Sequence, residues 1–431
     1  MYQDGYDADV AQAARDARLK LVQHKRTPDN GEPAALIAAH YRAVLSHVFG
    51  QYPLCPFVVI LEEDLVVAPD LLNFFAHLAP ALDADPTLLA VSAYNDNGGA
   101  RLAGNVCAVY RTRWFPGLGW LASRRVFAGE LLLRWPQTHW DHWVRADDQR
   151  RGRECLFPEV SRVQHIGEHG ANMDSATYRS YDQRVVLNCR HVYVLVHVSV
   201  FCQLIRRACM HACTHIHAPC VHASCKCPCM YVCMHACAQV LNQVPAPALP
   251  PSAALHQEAY EAGLRLIFRA GQVVRDMAVL VQLTAQAGSQ SITDAHPLPA
   301  AQSQADAHAS TAMSLREEAS CGSCRHQSLV VYYAAGLSDE VARDASGGDM
   351  IYADGRPTPP KGAFRPIANF FGLWHEARRG QHDGLHRFHT AGRCVFLVDA
   401  GSRYAQTHMP RDVVPLQAQD FSRALWQRMH R

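Results

Sequence analysis

Residues 57–61, FVVIL, run without a break into three consecutive acids, Glu62, Glu63 and Asp64, and apolar sequence resumes at once. A short β-branched apolar run of this kind reads as a buried strand. Three adjacent carboxylates repel one another unless a cation or hydroxyl donors compensate them. In open α/β sheets ligands bind outside the carboxyl ends of strands, where this triplet falls. Hard oxygen ligands in that position suit Mg²⁺ or Mn²⁺ and point to a metal–diphosphate site. The alternative is a solvated turn whose acids precede a helix N-terminus.

The surrounding sequence gives the triplet an α/β frame. Residues 33–50 carry apolar side chains at helical spacing, and Ala68-Pro69-Asp70 opens a second helix with Leu71, Leu72, Phe75 and Leu78 on its apolar face. LLAVSAY (88–94), CAVYRT (107–112) and CLFPEVSRV (155–163) read as strands. Residues 123–133 and THWDHWVRADDQRRG (138–152) read as helices, and FPGLGWL (115–121) as a Gly-rich loop with an aromatic platform for a sugar face. Further along, 256–283 reads as one amphipathic helix. LVVYYA (329–334), a helical stretch near 364–379 and CVFLV (394–398) make a small C-terminal lobe. The expected division is a catalytic domain over 1–188, an insertion over 189–242, a linker and helix over 243–283, a structureless stretch over 284–327, the lobe over 328–410 and a tail over 411–431.

The 431 residues are enough for a sizeable core, and a net charge of +2 excludes a nucleic-acid binder held by bulk charge. No apolar run reaches the length of a membrane span, and no leader opens the chain. Of the 16 cysteines, ten lie between Cys189 and Cys237. CMHAC occurs there twice, at 209–213 and 233–237, as a repeating TGCA tetranucleotide would spell in codons. The expectation is a retained intron. The competing reading is a zinc-binding knuckle, which spacings as tight as CKCPC disfavour. Cys321 and Cys324 read as an incidental pair. HWDHWVR sets Asp141 among bulky aromatic residues, where a partly desolvated carboxylate is a candidate general base.

VVILEEDLVVAPDLLNFF, VSAYNDNG, YRTRWFPGLGWL, HWDHWVR, QRRGRECLFPEVSR and HIGEHGANM occur in this order over residues 34–188. Together they resemble the β-1,2-N-acetylglucosaminyltransferase family, with its N-glycan and O-mannose branches. FGLWHEARRGQHDGLHRF and GRCVFLV in the C-terminal lobe are similar to it more weakly. The resemblance implies a GT-A type nucleotide-sugar transferase fold with a mixed sheet, UDP-GlcNAc as donor, Mn²⁺ as cofactor and inversion at the anomeric carbon. The acceptor it implies is the 2-hydroxyl of an α-mannose on an N-glycan or O-mannosyl glycoprotein. It also implies Golgi residence on the lumenal side of the membrane, through an anchor not seen in this sequence. By position, Asp64 would contact the metal. Glu62, Glu63, His40, Trp140 and Ser161 would line the donor, and Asp141 would be the catalytic base. Residues 162–174, with hinges at Gly167 and Gly170, would close over the donor.

The sequence also departs from the family pattern. The family begins its catalytic domain with a strand–helix–strand unit that holds the uracil, and most of that unit is expected to be missing here. Ala90 stands where the family has a cysteine partner for Cys155. The expectation is therefore an incomplete version of an active enzyme. The competing reading is a catalytically impaired, donor-binding or scaffold protein.

Overall fold

The computed structural model describes residues 1–25, 31–168, 175–189, 255–285, 328–334 and 361–429. The Cys/His-rich stretch beyond Cys189, most of the Pro/Ala linker, the stretch read as structureless, the Cys321–Cys324 pair and Gly170 lie outside the described residues.

The chain opens with a parallel pair, β1 (Tyr2–Asp4) and β2 (Val22–His24), joined by α1 (Ala8–Asp16). Asp7 caps α1, its carboxylate accepting from the backbone N–H groups of Asp9 and Val10. The chain thus opens with an ordered strand–helix–strand unit. Its polar, acidic residues belong to the cap and to the exposed face of α1.

The central sheet contains β3 (Phe57–Ile60), β5 (Leu88–Ser92), β6 (Val109–Thr112), β7 (Trp120–Ser123) and β8 (Glu154–Pro158), in the order β3-β7-β5-β8-β6. Only β5–β8 is parallel, so the sheet is mixed. Helices cover both faces. α2 (Pro33–Gln51) packs Ala38, Tyr41, Leu45 and Phe49 against Trp120 and Ala122. α3 (Leu71–Ala84) packs Phe74, Phe75 and Leu78 against Leu121, Val91 and Leu156. Trp120, Leu121 and Ala122 thus alternate between the two cores, as the period of a strand requires. A short antiparallel ribbon, β4 (Leu65–Val67) with β9 (Val163–His165), leaves the sheet directly after the acids.

The C-terminal sheet has the order β10-β11-β14-β13-β12, with β15 also on β11. Its strands are β10 (Gln272–Val274), β11 (Ser328–Ala334), β12 (Gln381–His382), β13 (Leu385–Thr390), β14 (Arg393–Asp399) and β15 (Leu416–Gln417). The single helix expected over 256–283 is in fact a helix, Gln257–Ala270, then β10, then a second helix, Met277–Ala285. Gly271 follows the first helix in an extended conformation, and a side chain there would meet Val330 Cγ2 at 2.8 Å. The expected tail forms β15 and the helix Ala418–Met429, whose Phe421 is fully buried among Phe370, Phe371 and Phe388. It is part of the lobe.

The two sheets meet through hydrogen bonds and buried charge. Thr112 Oγ1 donates to the Gln381 carbonyl at 2.8 Å, and the His389 N–H donates to the Leu102 carbonyl at 2.8 Å. Arg111 on β6 pairs with Glu154 (2.6 Å) and Asp85 (2.9 Å), and His382 on β12 bridges Glu154 (2.7 Å) to Glu261 (3.1 Å). Cys107 and Cys394 are each disulfide-bonded, whereas Cys155 is a free, buried thiol. Cys155 stands opposite Ala90 in the β5–β8 register, so the expectation that it lacks a partner holds. Among the described residues no helix is long and apolar enough to cross a membrane.

Candidate functional site

β3 ends at Ile60, and the three acids follow in the turn before β4. They do not share one environment. Glu62 turns inward and meets the Tyr41 hydroxyl of α2 in a short hydrogen bond, and burial pushes its carboxyl up to about 7. Glu63 is exposed, with its charge felt by His40 and Tyr41. Asp64 is half-buried between the two ends of the β4–β9 ribbon. Its Oδ2 lies 2.9 Å from His165 Nε2, and that hydrogen bond holds its carboxyl below the usual range. His165 is raised in turn, by the same bond first. The other oxygen, Asp64 Oδ1, is buried and has no hydrogen-bond partner. Gly167 closes the cradle: a Cβ there would sit 2.6 Å from Asp64 Oδ2 and 3.0 Å from His165 Nε2. A side chain at 167 would fill the space beside the carboxylate, so glycine keeps it open.

Neighbouring residues of α2 extend the site in two directions. His40 stacks on His24 (ring centroids 4.8 Å apart), with His40 Nδ1 2.6 Å from His24 Nε2. Burial, and then the charge of His24, lower the His40 pKa. One of these two nitrogens must carry the proton they share. Asp4, at the end of β1, lies 3.8 Å from His24 Nδ1. Asp4, His24 and His40 are close enough together to hold a metal ion. Tyr41 leads the other way, its ring 4.1 Å from Trp140.

Trp140 opens the short helix Trp140–Arg145, after His139 in a left-handed conformation (φ 46°). Its indole is buried between Tyr41 and Trp135, with Trp120 and Phe115 beyond. It is therefore a support under Asp141, not an open donor-stacking face. Asp141 itself is half-buried, and Arg145 one turn later donates to its Oδ2 at 2.5 Å. Arg145 also donates to the Phe115 carbonyl and lies over the Trp114 ring, 4.3 Å from its centroid. The expected long polar helix breaks at Ala146, and a second short helix follows at Asp147–Arg150.

Two further expectations are corrected. The aromatic platform of the Gly-rich loop does not form, because Trp120 is the first residue of β7 and is fully buried. Gly117 (φ 81°) and Gly119 (φ 54°) make the turn that delivers it, and a Cβ at Gly119 would meet Val163 at 2.7 Å. Ser161, expected to contact the diphosphate, is fully buried, and its Oγ accepts the Asn95 N–H at 3.0 Å. Its hydroxyl holds a loop junction and faces no open space. The structure instead adds Tyr41, His165, Arg145, His24 and Asp4 to the neighbourhood. None carries a local signal, since each partner lies a turn or more away in sequence, up to 101 residues for His165 and Asp64.

The acid triplet, through Glu62 and Glu63, and Asp141 thus both act on one buried tyrosine, Tyr41, and His40 on the same helix stacks with His24. Residues 18–196 match the model of the GNT-I family. This segment is similar to the GNT-I family. A relative from Arabidopsis thaliana, alpha-1,3-mannosyl-glycoprotein 2-beta-N-acetylglucosaminyltransferase, is 35% identical over 194 residues. The match covers 43% of this chain and 43% of that relative, so the chain spans less than half of the relative's length. The GNT-I segment holds every site residue named above except Asp4.

Proposed function

We propose that this protein is an inverting β-1,2-N-acetylglucosaminyltransferase of GT-A type. It moves GlcNAc from UDP-GlcNAc to the 2-hydroxyl of a terminal α-mannose on glycoprotein glycans. The observation that carries the reading is the buried, unpartnered Oδ1 of Asp64, in an acid triplet whose Glu62 and Glu63 act on Tyr41 as Asp141 does. A buried carboxylate oxygen without a donor is costly unless a cation meets it. Mn²⁺ fits this donor set of carboxylate oxygen and nearby imidazole. Bound at Asp64, it would neutralise charge building on the departing diphosphate.

The chain's own residues do the rest. Asp141 takes the proton of the acceptor hydroxyl as the new C–O bond forms and the bond to UDP breaks. Arg145 fixes the carboxylate on its helix, and the Trp140–Trp135–Tyr41 stack fixes the helix. His40 and Glu63 face the nucleotide side, and Glu62 holds Tyr41 between the two centres. A single displacement needs one base on the acceptor side, and Asp141 is the carboxylate placed for it. The setting we infer is the Golgi lumen. Disulfide bonding of Cys107 and Cys394 supports an oxidising compartment.

The test is Mn²⁺-dependent release of UDP from UDP-GlcNAc with a mannosyl acceptor. Asp141→Asn is expected to abolish transfer while leaving donor binding intact. Full activity in that variant would overturn the assignment of the base.

A further inference from the structure

His165 sits at the end of β9, opposite Leu65 in the register of the ribbon, so its ring is delivered to the residue just before β4, Asp64. The Ile166 N–H donates to the Asp64 carbonyl at 2.9 Å and pins the two backbones together. The His165 side chain is only 9% exposed, and its Nε2 points at the carboxylate of Asp64. Behind the ring, Nδ1 makes no hydrogen bond and lies 3.8 Å from Asp182 Oδ1, its nearest charge. Asp182 is held in turn by the Tyr94 hydroxyl, which donates to Oδ1 at 2.7 Å, while Asp182 Oδ2 is buried without a hydrogen-bond partner. Carboxylate, imidazole and carboxylate therefore stand in line, and the missing side chain of Gly167 leaves room at the Asp64–Nε2 end.

We propose that His165 is a second protein ligand to the divalent cation held by Asp64, with Asp182 orienting the imidazole from behind. The inference rests on the metal reading of Asp64 given above. Without metal Nε2 donates to Asp64; a cation between them would replace that bond, and the carboxylate behind the ring would then favour the proton on Nδ1 and leave the lone pair of Nε2 to the metal. An imidazole ligand also carries a preference. It suits Mn²⁺ and later transition metals, whereas Mg²⁺ and Ca²⁺ prefer oxygen alone. His165 would thus make the site selective for Mn²⁺ over Mg²⁺, a property that Asp64 alone cannot supply.

The test is pulsed electron paramagnetic resonance of Mn²⁺ bound to the full chain with UDP. The inference predicts a ¹⁴N coupling from a directly bound imidazole, absent in both His165→Ala and His165→Gln. The Gln variant retains a hydrogen-bond donor for Asp64 and guards against a folding defect. Mn²⁺ affinity should fall about tenfold or more in both variants, with Mg²⁺ affinity changed less than about threefold. Asp182→Asn should weaken Mn²⁺ binding less than loss of the ring does. If Mn²⁺ binds but the nitrogen coupling is missing, or survives in His165→Gln, His165 is not a ligand and the Asp64 reading stands. If Mn²⁺ does not bind with UDP at all, both fail together.

Discussion

The molecule treats buried charge in two opposite ways. Between the two sheets, Arg111, Glu154, His382 and Glu261 form a closed network in which each charge meets an opposite one. Its effect on titration is strong: Glu154 and Glu261 are each depressed to about 2, against burial, by His382 and their arginine partners. At the end of β3 the reverse holds. Glu62 is raised to about 7, and an oxygen of Asp64 is left without a donor. A chain can carry both arrangements only if they serve different ends. The first joins the lobes. The second, under the proposed function, leaves carboxylate oxygens for a cation and a sugar nucleotide to meet.

The contrast fails if the two clusters respond alike to substitution. Loss of one partner from the closed network strands the others, so His382→Ala should destabilise the protein by about 3–5 kcal/mol in chemical unfolding. Asp141→Asn should lower kcat by about 10²–10⁴-fold with no comparable loss of stability, as for other general bases. Acid titration separates the clusters further. Glu154 and Glu261 have folded values below their ordinary 4.5, so they stabilise in full above that value. That contribution is lost as pH falls toward about 2. His382 is raised, so it stabilises at neutral and lower pH and fails only on the alkaline side. Stability should therefore drop between pH 4.5 and about 2, and Glu154→Gln should flatten that slope in pH-dependent melting. The smallest effect is expected at the open site. Asp64→Asn gives up the charge of a half-buried, partly exposed pair with His165 and should lower stability without metal by no more than about 1 kcal/mol.

The same division explains what could be read from the residues alone. β3, α2, α3 and β5 declare themselves through local apolar patterning, and the acid triplet through its own contiguity. Asp141 stands out by its aromatic neighbours. The parts that escaped are set by contacts distant in sequence. β10 is a strand because β11 pairs with it, although its residues continue a helical pattern. The C-terminal helix docks through Phe421 onto Phe388, Phe371 and Phe370, which lie 33 to 51 positions earlier, so its own sequence reads as a tail. Ser161 was a ligand contact by family resemblance alone, but the Asn95 N–H takes its hydroxyl oxygen and the loop buries it. Trp120 looked like a sugar platform and Trp140 like a donor-lining residue, yet they pack with Tyr41, Trp135 and Phe127 to make the floor under Asp141. Tyr41 and His165, which tie the acids to the rest of the site, had no signature at all, because a lone tyrosine or histidine acquires meaning only from its partner.

The most direct measurement is calorimetric titration of UDP-GlcNAc into the full chain, with and without Mn²⁺, for the parent and for Asp64→Asn. Uptake that needs Mn²⁺ in the parent and vanishes in the variant is the predicted result. Uptake of the sugar nucleotide that ignores Mn²⁺, or that survives unchanged in Asp64→Asn, would contradict the claim that the triplet exists to hold a metal and its diphosphate.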